Sequence, residues 1–198
     1  LLYSYKIFNF QVFMNKIKKI LIGTNNKGKF KEISDLLPKN IEKISPYSLN
    51  IESPIESGNT FQENSEIKAD FFCKKTKLIT LSDDSGLEIN CLGGEPGIFS
   101  SRWAEKFGSF ENAMIEILKK VKQAKKGTEA QFISCLTIQW PDGKKISEIG
   151  KIHGNISEKK GINGFGYDPI FIPAGYSKTF GEMNYEEKLS IDHRIYCL

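Results

Sequence analysis

The stretch Leu81-Ser-Asp-Asp-Ser-Gly-Leu-Glu-Ile-Asn-Cys-Leu-Gly-Gly-Glu-Pro-Gly-Ile-Phe-Ser-Ser-Arg-Trp103 decides how this chain is read. An apolar run, Leu78 to Leu81, leads straight into two adjacent acids and a Ser-Gly pair. That order predicts a buried strand ending at a turn that presents carboxylates, with Gly86 relaxing the backbone. Beyond it, Leu87, Ile89 and Cys91 alternate with Glu88 and Asn90, which predicts a second strand leaving the turn. Asp83 and Asp84 are neighbours, so in extended backbone they point to opposite faces and only one faces a given ligand directly. The other orients a loop or reaches a metal through water. Asp, Ser and Gly also build ordinary solvated turns. Here the apolar flanks and the run Gly93-Gly94-Glu95-Pro96-Gly97, three glycines and a proline in five residues, specify a backbone path that a surface turn does not need.

Upstream, Ile17, Ile20, Leu21 and Ile22 read as a buried strand running into Gly23-Thr-Asn-Asn-Lys-Gly-Lys29, followed by a helix from Phe30 to Leu37 that Pro38 stops. Strand, small-residue loop and helix N-terminus together make an anion site, because free N–H groups and the positive helix end face the ligand. Lys27 and Lys29 add charge. Gly23 to Lys29 fits the Gly-x4-Gly-Lys half of a P-loop, but Phe30 stands where that motif needs Ser or Thr for magnesium. Phosphate binding therefore fits this loop better than a P-loop NTPase does. Ser45 to Gly58 is loop-like and carries Glu52 and Glu56. Thr60-Phe-Gln-Glu63 is a capping box opening a helix to about Lys77. On that helix Asn64, Lys68 and Phe71 share one face, while Phe61, Ile67 and Phe72 pack. A lysine on the same face as an asparagine reaches a phosphate, although by spacing alone Lys68 is more often a solvent-exposed lysine.

Downstream, Ser109 starts a helix whose Phe110, Ala113, Met114, Ile117, Leu118 and Val121 follow helical periodicity until Gly127. That stripe is core. Ala130 to Trp140 is a strand, Pro141-Asp-Gly143 a hairpin turn, and Ile146 to His153 returns antiparallel, so the sheet is mixed. In Gly161-Ile-Asn-Gly-Phe-Gly-Tyr-Asp-Pro-Ile-Phe171 the glycines allow close backbone approach to a flat ligand on which Phe165 or Tyr167 stacks. His193 and Arg194 offer donors to carbonyl or phosphate oxygens.

Composition narrows the class. The chain has 198 residues, enough for one domain with a proper core; 39% hydrophobic and 26% charged residues are those of a globular protein. A net charge of +4 falls short of a nucleic-acid binder's basic stripe. Cysteines 73, 91, 135 and 197 form no Cys-x-x-Cys pair, so neither a disulfide framework nor a zinc site is expected and a reducing cytoplasm suits them. Residues 1–13 are aromatic-rich, precede Met14 and are shorter than the roughly 20 residues that cross a bilayer. No basic region precedes them as a secretory signal requires. They read as an upstream extension outside a fold covering 14–198.

Five motifs occur in register: Thr24-Asn-Asn-Lys-Gly-Lys29; Ser82 to Leu87 with Leu92 to Gly97; Gly164 to Phe171; Glu182-Met183; and His193-Arg194. In order and spacing they resemble the inosine triphosphate pyrophosphatase family from about Ile17 to Arg194. The resemblance implies an α/β fold, an elongated mixed β-sheet flanked by helices in two lobes with a central nucleotide cleft, and commonly a homodimer. It implies hydrolysis of ITP, dITP and XTP to the monophosphate and pyrophosphate with Mg²⁺, and no nucleic-acid or membrane partner. The family's phosphate loop falls on Thr24, Asn25, Asn26, Lys27, Gly28 and Lys29, and its catalytic acid on Asp84, with Ser85 touching substrate. Its base-reading loop falls on Phe165, Gly166, Tyr167 and Asp168, and further substrate contacts on Lys188, His193 and Arg194. Glu56 is the nearest match for the second metal acid, with Glu52 and Glu63 as alternatives.

Residue types agree with that chemistry. Triphosphate hydrolysis needs charge neutralisation, a metal and an activated water. Lys27, Lys29, Lys188 and Lys68 are cations for it; Asp84 and Glu56 suffice for Mg²⁺, which takes few protein carboxylates. Buried donors aimed at a 6-keto oxygen reject a 6-amino group at about 1–3 kcal/mol per unpaired donor. His193 and Arg194 are the candidate donors, with Asp168 orienting them or accepting from the base. Two departures stand out. Leu189 and Asp192 replace the polar residues usual before the His-Arg pair, and Asp192 beside His193 favours the imidazolium; the chain also stops at Leu198, where the family usually continues into a terminal helix. A Maf-like pyrophosphatase of other base specificity, a non-catalytic nucleotide-binding relative and a lysine-rich nucleic-acid binder are the competing readings.

Overall fold

The computed structural model describes residues 17–197. The expected upstream extension, 1–13, lies outside them. In chain order the elements are β1 (Lys19–Gly23), α1 (Lys27–Leu36), β2 (Glu42–Ile44), α2 (Phe61–Thr76), β3 (Thr80–Ile89), α3 (Ser100–Phe107), α4 (Phe110–Ala124), β4 (Glu129–Gln139), β5 (Lys145–Ile156), β6 (Phe171–Pro173) and α5 (Tyr185–Leu189). The strands form one mixed sheet in the order β2-β1-β3-β4-β5-β6, so the fold is α/β as expected. β1 runs parallel to β2 and to β3, whereas β5 and β6 are antiparallel. Among the described residues no helix is long and apolar enough to cross a membrane, and no disulfide links the four cysteines.

The chain divides into two compact units. Unit 1 comprises 17–84, 135–149 and 194–197 of the described residues. Its core gathers Ile20 and Ile22 of β1, Ile33 of α1, Leu81 of β3, and Leu136 and Ile138 of β4. Unit 2 comprises 85–134 and 150–193. There the predicted stripe Ala113, Met114, Ile117 and Val121 is buried with Leu87 and Ile89. Phe132 also packs on Phe171 and Phe180, with ring centroids 4.7 and 6.0 Å away.

Four local expectations need correction. No turn interrupts Ser82 to Leu87: β3 is one continuous strand of ten residues, and both acids sit inside it. The pair Ser85-Gly86 reads as a break in isolation, but ladder pairing on a buried sheet overrides a turn propensity. Helix α1 begins at Lys27 rather than Phe30, because the Asn26 side chain accepts from Lys29 N at 3.1 Å and caps it early. Helix α4 ends at Ala124, where Lys125 takes a left-handed conformation ahead of Gly127. Cys91 lies in a short 3-10 turn, Asn90–Leu92, rather than in a strand. The Gly93–Gly97 run does follow an unusual path, with Gly93, Gly94 and Gly97 all at positive φ.

Gly23 closes β1 opposite Ser82, and this pairing brings the loop that follows to the acids of β3. A Cβ at Gly23 would stand 2.2 Å from Ser82 Oγ and 3.0 Å from the Phe72 ring. Gly23→Ala is expected to cost about 1–3 kcal/mol through overpacking and to lower the urea midpoint; an unchanged midpoint would show that the two strands tolerate separation.

Candidate active site

In unit 1 the loop after β1 folds on itself before the helix starts. Asn26 N donates to Thr24 Oγ1 at 3.2 Å, and the Asn26 cap leaves the first-turn N–H groups of α1, with Gly28 among them, at the helix N-terminus. The Asn25 amide donates to Ile51 O and Ser53 Oγ, both at 3.1 Å, tying the loop to the segment that carries Glu56. Lys27 lies over the Tyr47 ring, 5.7 Å from its centroid. Lys29 instead turns inward, its Nζ 2.9 Å from Asp83 Oδ2.

β3 alternation separates the two acids, as the spacing predicts, but buries both. Asp83 meets Lys29 and, at 3.3 Å from Oδ1, Arg194 Nε. Asp84 Oδ1 accepts from Lys68 Nζ at 3.0 Å, and the same ammonium bonds Glu56 Oε1. Lys68 is therefore buried, contrary to its expected exposure: α2 turns Asn64, Ser65 and Lys68 inward with Ala69 and Phe72. Burial pulls the Lys68 pKa down, but Asp84 and Glu56 together hold it above its ordinary value. Burial pushes the Asp84 carboxyl above the usual carboxylate range, with Lys68 and Lys29 opposing and Glu56 reinforcing.

The structure separates the three candidate loop acids. Glu56 shares Lys68 with Asp84; Glu52 is exposed; Glu63 is exposed and accepts from Asn59 N within the α2 cap. Among the described residues no group of three His, Cys, Asp or Glu side chains is arranged as a metal cage. Magnesium does not require one, since it binds through one or two carboxylates and keeps water and phosphate oxygens. Asp84 Oδ2 is buried without a hydrogen-bond partner. An orphaned carboxylate oxygen beside a second carboxylate fits a divalent cation of this kind.

Unit 2 holds the remaining candidates. Asp168 is folded into its own loop: Oδ2 accepts from Phe165 N at 2.8 Å and from Lys188 Nζ at 2.6 Å. A Cβ at Gly164, which has φ +75°, would stand 2.0 Å from that oxygen, so glycine is required twice over. Burial raises the Asp168 pKa, against the pull of Lys188. Lys188 Nζ also sits 4.8 Å from the Phe165 ring centroid and 3.8 Å from Asp192 Oδ2. His193 stacks on Phe132 at 5.2 Å and places Nδ1 3.3 Å from Asp192 Oδ1. Gly166 takes positive φ, and Ser85 follows Asp84 on β3.

Two assignments change. Tyr167 is a core residue rather than a stacking face: its ring packs edge-on to Phe110 at 5.2 Å, and its hydroxyl donates to Ser100 O at 2.7 Å. Arg194, expected to read a base, is 1% exposed and gives its guanidinium to carboxylates of unit 1, with Nη1 2.8 Å from Glu32 Oε2. Glu32 and Ser100 were invisible as site-building residues. Glu32 lies three residues after Lys29 on one helix face beside the buried Ile33, a signal that could have placed it. Ser100 Oγ accepts from Leu87 N at 2.9 Å, a long-range contact that no spacing rule reveals.

Carboxyl NMR titration is expected to place Asp84 above the ordinary value of about 3.9, and Lys68→Met to move it higher still. The raised folded-state pKa means that the stability from Asp84 is fully present below the unfolded pKa and lost as pH rises through the folded one. A Lys68→Met titration at or below that of wild type would contradict this electrostatic account.

The Ham1 family model matches residues 20–198. A dITP/XTP pyrophosphatase of Zymomonas mobilis is 39% identical over 180 residues, covering 89% of this chain and 86% of that protein. One of the same name from Rhizobium meliloti is 43% identical, covering 86% and 84%. Among solved structures, the Ham1 protein of Staphylococcus aureus superposes with a TM-score of 0.80 at 34% identity, covering 91% of this chain and 94% of that one. That of Coxiella burnetii gives 0.82 at 33%, with the same coverage. On the family match and on relatives of this identity across most of its length, the chain belongs to the Ham1 family.

Proposed function

We propose that this protein hydrolyses the non-standard purine nucleoside triphosphates ITP, dITP and XTP to the monophosphate and pyrophosphate, with Mg²⁺, and so cleanses the nucleotide pool. The names of its relatives support the substrate class. The observation that carries the chemistry is Asp84: a buried carboxylate with one oxygen on Lys68, the other without a partner, and Glu56 on the same ammonium.

Asp84 and Glu56 are the residues that would hold Mg²⁺, which when bound neutralises phosphate charge and polarises the phosphoryl group. Asp84 takes the proton of the water that attacks the α-phosphorus. Lys68 fixes both carboxylates and supplies positive charge as the leaving pyrophosphate develops its own. Thr24, Asn25, Asn26, Gly28 and Lys29 grip phosphate through the capped helix N-terminus and the inward ammonium, while Ser85 touches substrate. In unit 2 we assign Phe165 and Gly166 to the flat face of the base, and Lys188 and His193 to its polar edge. Asp168 orients Lys188 and the loop. We also propose one pyrophosphatase domain over 14–198, working as a cytoplasmic homodimer without nucleic-acid or membrane partners.

The test is a panel of nucleoside triphosphates assayed by phosphate release with added pyrophosphatase. ITP and XTP should turn over fast and ATP at least about thirty-fold more slowly, given two donors of about 1–3 kcal/mol each. Asp84→Asn should lose about a hundred-fold or more in kcat, and chelation of divalent metal should abolish turnover until Mg²⁺ is restored. Equal rates on ATP and ITP would remove the keto-reading role and spare hydrolysis; full activity in Asp84→Asn would remove the mechanism.

A further inference from the structure

Around Asp83 the charges close into a ring of their own. Asp83 Oδ2 is 2.9 Å from Lys29 Nζ, Asp83 Oδ1 is 3.3 Å from Arg194 Nε, and Arg194 Nη1 is 2.8 Å from Glu32 Oε2. Lys29 and Glu32 lie three residues apart on α1, so the ring leaves that helix, crosses β3 and Arg194, and returns to the same helix. All four residues belong to unit 1, and Asp83, Arg194 and Glu32 are buried. Lys29 alone keeps partial access, its side chain 17% exposed. The ring holds two acids and two bases and is formally neutral.

We propose that Asp83 is a positioning residue that fixes the Lys29 ammonium for phosphate binding, with Arg194 and Glu32 holding Asp83 in turn; this rests on the phosphate role assigned to Lys29 above. A lysine carries its charge on a flexible four-carbon stem with large rotamer entropy, so an untethered Lys29 must be ordered each time an anion arrives. Asp83 removes that cost beforehand. Arg194 matters because one guanidinium lies within ion-pair distance of both carboxylates, Nη1 on Glu32 and Nε beside Asp83, and it stays charged at any working pH. The neighbouring acids thereby divide the work: Asp84 faces the reaction, and Asp83 prepares the grip.

Charge and positioning make opposite forecasts, which is what makes the idea testable. Asp83→Asn removes a negative charge beside an anion site, so attraction alone predicts tighter binding of a polyanion. Loss of the tether predicts weaker binding. The probe is inorganic pyrophosphate, titrated calorimetrically with Mg²⁺ into wild type, Asp83→Asn, Lys29→Met and the double variant, alongside KM and kcat for ITP. Asp83→Asn should bind pyrophosphate roughly ten-fold more weakly, as expected for re-ordering one long side chain, with the loss in KM rather than kcat. In the Lys29→Met background the same change should have no further effect, because there is no ammonium left to position. Unchanged or tighter binding overturns the proposal, and so does an equal loss in both backgrounds. Glu32→Gln, which leaves β3 untouched, is expected to weaken binding in the same Lys29-dependent way and carries the test should Asp83→Asn fail to fold. Wild type that does not turn over ITP would sink the parent reading as well; active wild type with additive losses would sink only this one.

Discussion

Two carboxylates side by side in the middle of a buried strand must each find a cation, and the strand geometry sends them looking in opposite directions. An unpaired ion in a protein interior costs several kcal/mol even after relaxation, and successive side chains of a strand face opposite sides. Asp83 is met by Lys29 and Arg194, and Asp84 by Lys68. The placement of α1 and α2 follows from that demand. Gly23 lets the end of β1 lie close against Ser82, which sets the Asn26-capped helix beside Asp83. The Thr60 cap fixes where α2 begins, and two turns later its inward face delivers Lys68 to Asp84. Capping side chains that look like local punctuation are therefore what aims the charges.

How much of this was legible depends on how far apart the determinants lie in sequence. The hairpin at Pro141–Gly143, the apolar stripe of α4 and the caps at Thr60 and Ser109 are local, and residues a few positions apart announce them. The opposite facing of Asp83 and Asp84 was legible too, since it needs only the period of a strand. Ser85-Gly86 reads as a break although β3 runs straight through it, because the ladder that holds the strand comes from elsewhere in the chain. Lys68 looked exposed because helical spacing tells which residues share a face but not what that face meets. Arg194 reads as a base donor for the same reason: Glu32, its partner, stands 162 residues away. Tyr167 illustrates a limit of composition, since an aromatic among glycines suits a ligand platform and a core plug equally, and only Phe110 and Ser100 decide between them.

The glycine-rich segment of unit 2 follows a different logic. Its carboxylate, Asp168, is satisfied by Phe165 N and Lys188 within its own surroundings, and glycine at 164 makes room for that oxygen. The loop is thus built around an internal charge pair rather than shaped by a ligand. Such a loop loses little conformational freedom on binding, which is where affinity is gained when contacts are few. It also holds Lys188 against the Phe165 ring, so a cation and an aromatic face are presented in fixed relation.

The contrast between the two strand acids carries the functional argument furthest. Asp83 has a cation on each oxygen, an arrangement that recovers much of what burial costs. Asp84 has one oxygen on Lys68 and leaves the other buried with no partner, and burial raises its pKa despite two nearby lysines. Folding alone would favour satisfying both, since an unpaired buried acceptor costs about 1–3 kcal/mol. A sequence selected only for stability has a simple remedy, an apolar residue at that strand position, and this chain keeps the carboxylate instead. The local sacrifice is intelligible if the orphaned oxygen meets its partner only when ligand binds. Retaining Glu56 on the same ammonium is intelligible on the same terms, because two carboxylates on one lysine leave an excess of negative charge that a divalent cation would balance.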